Sequence, residues 1–191
     1  MPRKPRDEEA GAIYHVFARG NNRNHVFVDD KDYERYVQLL AATVRRQRWH
    51  CMSYCLMPNH VHMLIETPEP NLSAGMQWLH GIYGRGFNER HHRVGHVFQD
   101  RFRSEPIKDD THFLTVVGYI ALNPVAATLC RRPEDWKWSS HRATMSDRPP
   151  SWLAAGRLMW RIDERAGSRY YEELVEARVQ MTADTNPQVR V

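Results

Sequence analysis

AIYHVFA, residues 12–18, alternates along its length and is rich in β-forming residues, so it predicts a first strand. RGNNRN (19–24) follows as a turn-rich loop with two arginines and three asparagines. The period then lengthens. From Asp30 to about Trp49, Tyr33, Tyr36, Val37, Leu40 and Val44 recur at helical spacing, with acids early and Arg45, Arg46 and Arg48 late. Two strand-like runs, 50–56 and 60–66, flank the turn signal Pro58-Asn59 and predict a hairpin. Leu72, Met76, Leu79, Tyr83 and Phe87 mark a second helix, with Asn71 or Ser73 as N-cap. VFQDRFRSEPI (97–107) reads as one or two short strands, and a third helix runs from Asp109–Thr111 to Asn123, where Pro124 kinks or ends it.

The order β-α-β-β-α-β-α predicts the α+β class, with a central antiparallel sheet and helices packed on one face. Residues 1–130 form the expected core. Residues 131–191 form an extension with a WKWSSH stretch, a loop over 143–152, a helix over 168–180 and a polar, disordered tail.

Composition narrows the class only slightly. No apolar run approaches the ~20 residues that span a bilayer, and the charged N-terminus lacks a secretory core, so a soluble intracellular protein is expected. Cys51, Cys55 and Cys130 are too few for a disulfide framework or a four-cysteine zinc site; the first two read as small core residues. The net charge is only +4, but residues 85–103 hold five arginines and three histidines against Glu89 and Asp100. Such a run fits either a solvated face or a phosphate-facing loop.

The candidate chemistry lies in PNHVHMLIE (58–66). Residues i and i+2 of a strand share a face, so His60 and His62 project together while Val61, Met63 and Ile65 face the core. Alone, the pair reads as metal ligands or as polar residues on a wet face; two ligands do not make a site. On the third helix Phe113, Val117 and Ile120 define a buried stripe, and His112, Tyr119 and Asn123 fall within a narrow flanking sector. Packed against the hairpin, that flank would present an amide oxygen and a phenol beside the histidines. A half-buried aromatic and a helix-end asparagine is the plainer alternative.

LMPNHVHMLIETP and, later, Tyr119 within GYIALNPVAATL strongly resemble the REP-associated tyrosine transposases, of the single-tyrosine HUH class. YHVFARGNNR (14–23), GHVFQDRFRS (95–104) and WKWSS (136–140) match in the same order, so the resemblance covers about residues 12–140. The chain departs from the family at Asp100, Phe102, Arg103 and Ala121. The resemblance implies a ferredoxin-like (RRM-like) HUH fold acting on single-stranded, hairpin-forming DNA. By analogy Tyr119 is the nucleophile, forming a 5′-phosphotyrosine, and His60, His62 and Asn123 hold Mg²⁺ or Mn²⁺. Arg19, Asn21, Asn22, Arg23, Arg101 and Arg103 match segments expected near DNA. Trp138, with Trp136, Tyr83 and Phe102, is expected either to pack in the core or to stack on exposed bases. The expected enzyme is a metal-dependent endonuclease and strand-transferase, monomeric rather than dimeric, in the cytoplasm on the nucleoid. The rivals are a catalytically silent binder of structured single-stranded DNA and a zinc hydrolase using His60 and His62.

Overall fold

The structure, a computed structural model, describes residues 7–163 and 167–185. Four strands, β1 (Ala12–Arg19), β2 (His50–Met57), β3 (His60–Thr67) and β4 (Arg103–Pro106), form one antiparallel sheet in the order β2-β3-β1-β4. Pro58 and Asn59 close the β2–β3 hairpin, with Met57 opposite His60. In β1–β3, Arg19 faces His60 and Phe17 faces His62, which fixes the side chains around the histidine pair. Of the one or two short strands expected within 97–107, one forms. Only Arg103–Pro106 forms a ladder with β1, while Phe98 makes a single bridge to Gly20.

Helix α1 spans Asp30–Gln47, its N-cap Asp29 accepting hydrogen bonds from the amides of Lys31 and Asp32. Helix α2 spans Leu72–Arg90. Asn71 occupies its N-cap position but caps nothing. Its amide instead accepts from Trp49 Nε1 at 2.6 Å and donates to the Gln47 carbonyl at 3.1 Å, joining the end of α1 to the start of α2. Gly75 lets this joint close, because a Cβ there would stand 2.2 Å from the Trp49 ring.

Helix α3 spans Asp110–Ala126 and is capped by Asp109. Pro124 lies inside its last turn, so the helix outruns the expected end at Asn123. The extension contains α4 (His141–Thr144), α5 (Ala155–Ile162) and α6 (Gly167–Thr185). Helix α5 was not expected, and α6 outruns the predicted 168–180. The end of the tail predicted to be disordered, residues 186–191, lies outside the described residues.

Packing helices on one face holds for α1 and α2. Their Tyr33, Tyr36, Leu40, Met76, Leu79 and Tyr83 join Val16, Val61, Met63 and Ile65 in one core. The opposite face is also covered. There Met52, Cys55, Met57 and Leu64 of β2 and β3 meet Phe113, Val117 and Ile120 of α3, Leu158 of α5, and Tyr171 and Val175 of α6. Beyond His50 and His60, β2 and β3 are therefore buried along their length, matching their nearly unbroken apolar runs.

The outer edge of β2 is closed by the WKWSS segment. Leu56 donates its amide to the Trp138 carbonyl, and Trp136 Nε1 donates to the Leu56 carbonyl at 3.1 Å. Ser140 donates its amide to the Tyr54 carbonyl, and its hydroxyl oxygen accepts from the Tyr54 amide, both at 2.9 Å. A strand edge that would otherwise be open for pairing is thereby used up.

Candidate active site

His60 and His62 project from β3 on the face that α3 crosses. Their rings lie 5.0 Å apart and nearly perpendicular, and the Tyr119 ring stands 5.1 Å from that of His62, edge to face. One turn beyond Tyr119, Asn123 places its Oδ1 3.4 Å from His60 Nε2. The spacing of four on a helix and two on a strand thus converges on one spot. His62 and Asn123 are buried and His60 is partly buried, which rules out the wet-face reading of the histidines. Tyr119 is 47% exposed, so its phenol is open to an incoming molecule.

Burial holds all three local imidazoles in the neutral form. For His62 it is the main cause, aided by the positive potential of His60, His15 and Arg19, and the pKa is pushed down to about 2. His60 is lowered by burial and by Arg19, against the Asn123 amide oxygen, which favours the protonated ring. His15 is lowered by burial despite Glu105 nearby. Neutral imidazoles have the free lone pair that metal ligation needs.

The donor set fits a small cation. A neutral His60 has one ring proton but faces two amide oxygens, Asn59 Oδ1 at 2.6 Å from Nδ1 and Asn123 Oδ1 at 3.4 Å from Nε2. With the proton in the shorter bond, Nε2 and Asn123 Oδ1 confront each other as electron-pair donors, a conflict that a divalent ion would resolve. Among the described residues no group of three or more His, Cys, Asp or Glu is arranged to hold a metal.

The site opens into a cleft of about 500 Å³ lined by Arg19, Arg23, Arg101 and Arg103 together with Asp100 and Glu105. Four guanidinium groups against two carboxylates make this a positive groove leading to an exposed phenol, as an anionic substrate would require. A family model for IS200-like transposases matches residues 9–123, which include both histidines, the tyrosine and the asparagine.

The chain belongs to the IS200-like transposase family.

This IS200-like transposase shares its fold with a solved REP-associated tyrosine transposase bound to a REP hairpin, at 17% identity and a TM-score of 0.64, covering 80% of this chain and 90% of that one. A transposase candidate from Deinococcus radiodurans R1 is 18% identical with a TM-score of 0.44, over 60% of this chain and 92% of that chain. No curated protein matches the chain. No described helix is long and apolar enough to cross a membrane.

The transposase fold gathers some of the expected DNA-facing residues and leaves others elsewhere. Arg19, Arg23, Arg101 and Arg103 line the cleft. Asn21 and Asn22 shape the short 3₁₀ turn before it, where the Asn21 amide donates to the Val97 carbonyl and Asn22 has φ 51°. Trp138 does not line the cleft. It stacks on Tyr33 at 4.6 Å, under Lys137, where the β2 edge needs covering. Tyr83 and Phe102 are buried, so neither offers a face to a base. Within the basic stretch 85–103, Arg90 and His91 are spent on Asp29 and Asp32, tying the end of α2 to the start of α1.

One member of this transposase site was missed, namely His15. It sits on β1 with its Nε2 3.0 Å from His62 Nδ1. Its position in YHVF, alternating with Phe17 and Arg19, was the available signal. The register that sets it beside His62 was not.

Proposed function

We propose that this IS200-like transposase cleaves and rejoins single-stranded, hairpin-forming DNA, with Tyr119 as nucleophile and His60, His62 and Asn123 as ligands of Mg²⁺ or Mn²⁺. The observation that carries the reading is the exposed Tyr119 ring set against the cluster of partly buried His60 with buried His62 and Asn123 at the end of an arginine-lined cleft. Arg19, Arg23, Arg101 and Arg103 would hold the DNA backbone and orient the scissile phosphate, supplying most of the affinity as salt-dependent phosphate contacts. The phenol would attack that phosphorus in line. A Tyr119–O–P bond forms as the bond to the preceding sugar oxygen breaks, leaving a 5′-phosphotyrosine and a free 3′-hydroxyl. Rejoining is the reverse attack by a 3′-hydroxyl, so bond energy is conserved and no nucleotide cofactor is needed. When bound, the ion would neutralise charge on the phosphate. Two imidazoles and an amide oxygen suit Mg²⁺ or Mn²⁺, while the imidazoles admit softer metals.

The proposal includes action as a monomer rather than as a homodimer. The test is incubation with a hairpin-bearing oligonucleotide and Mn²⁺. A covalent adduct on Tyr119 is expected, lost in Tyr119→Phe with binding retained. An adduct in the phenylalanine variant would refute the assignment; binding with no adduct in wild type would make the protein a silent binder.

A further inference from the structure

We infer that His15 is a positioning residue for His62: its Nε2 accepts a hydrogen bond from His62 Nδ1, fixing the His62 tautomer so that Nε2 is the free lone pair. The inference rests on the proposed role of His62 as a metal ligand and assigns a role to a residue outside that ligand set.

The geometry is direct. His15 and His62 lie on adjacent strands, on the face beneath α3, with Nε2 and Nδ1 3.0 Å apart and the rings stacked at 25°. Both side chains are more than nine-tenths buried, so water does not readily replace the contact. Two neutral imidazoles can share only one N–H across such a bond, so one ring donates and the other accepts.

Two observations set the direction. Nδ1 of His62 is taken up by His15, so only its Nε2 is left to face a cation, and a ligating nitrogen carries no proton. The one proton of a neutral His62 then sits on Nδ1, and His15 Nε2 is the acceptor. The second observation is His60, whose Nδ1 is held by Asn59 Oδ1 at 2.6 Å while its Nε2 faces Asn123. Both histidines are then built alike, with Nδ1 tied to a neighbour and Nε2 offered. Such outer hydrogen bonds fix the ring orientation and basicity of metal-ligating histidines. Without His15, the buried Nδ1 of His62 has no acceptor, and the ring's proton is free to move to Nε2, where it blocks ligation.

Long-range ¹H–¹⁵N correlation spectra of the full-length, metal-free protein read the tautomer directly. Wild-type His62 should carry its proton on Nδ1, and His15→Leu should move it to Nε2. His15→Gln, whose carbonyl can still accept, should keep it on Nδ1. Calorimetric titration with Mn²⁺ should show a loss of about 10–100-fold for the leucine variant and little for the glutamine variant. A proton on Nε2 of wild-type His62, or unchanged Mn²⁺ affinity in His15→Leu, overturns the inference. If the leucine variant does not fold, the wild-type spectrum alone decides. The tautomer is read without DNA or metal, so it stands apart from the outcome of the Tyr119→Phe adduct experiment.

Discussion

Ser140→Ala tests whether the WKWSS segment is the partner that closes the β2 edge. Ser140 is 1% exposed. Its hydroxyl oxygen accepts from the Tyr54 amide at 2.9 Å and lies 3.2 Å from the Ser53 hydroxyl, itself 2% exposed. Alanine leaves the backbone bond from the Ser140 amide to the Tyr54 carbonyl intact but strips both other groups of their partner. An orphaned buried amide costs about 1–3 kcal/mol and the hydroxyl bond about 1 kcal/mol, for a total of roughly 2–4 kcal/mol. In a domain of this size that corresponds to a fall in Tm of roughly 5–15 °C. Thermal and urea unfolding of wild type, Ser140→Ala, Ser53→Ala and the double variant measure it. Because the serines share one contact, the second substitution should cost less in the presence of the first. An alanine variant melting within about 1 °C of wild type would refute the reasoning, since this bond would then not hold the edge.

Thr67→Val should be neutral or stabilising in the same melts, because the Thr67 hydroxyl is fully buried and has no hydrogen-bond partner; a clear loss of stability would mean it has one. His80, stacked on Phe98 at 4.0 Å, has its pKa pushed down by burial to about 3, so below about pH 6.5 the unfolded chain takes a proton that the folded chain refuses. Its contribution is fully present above that pH and falls as the solution is acidified, by roughly 2–3 kcal/mol between about pH 6 and pH 4. His80→Phe, which keeps the stacking, should flatten the acid limb of a stability–pH curve by that amount, and an identical slope would contradict it. Asn123→Ala should weaken Mn²⁺ binding by at least about tenfold in calorimetry, and unchanged affinity would remove the amide from the ligand set.

The elements were legible wherever one periodicity dominated. Strand β3 could be read because Val61, Met63 and Ile65 alternate with the histidines, and α1 because its apolar stripe runs between clear acidic and basic ends. Helix α5 escaped because it has only eight residues and Ala154 gives it no capping side chain. The short strand within 97–107 was legible, but its bounds at Arg103–Pro106 were not, because Phe98 also resembles a strand position yet makes only a bridge with Gly20. Within the site, the His60–His62 and Tyr119–Asn123 pairs followed from local spacing. His15 and the true place of Trp138 depended on pairing between distant segments, which no local pattern encodes.

Helix α3 is held from two sides. Its Phe113, Val117 and Ile120 are sunk into a core made by β2 and β3 beneath and by α5 and α6 alongside, so Tyr119 is mounted on one of the better-anchored parts of the molecule. For the proposed reaction, the protein is then the fixed jig and the nucleic acid the moving part. The cut end stays at one address on Tyr119, and the end to be joined has to be delivered there by refolding or re-pairing of the DNA. Choice of product would thus be governed by the flexibility of the strand between its hairpin and its cleavage point.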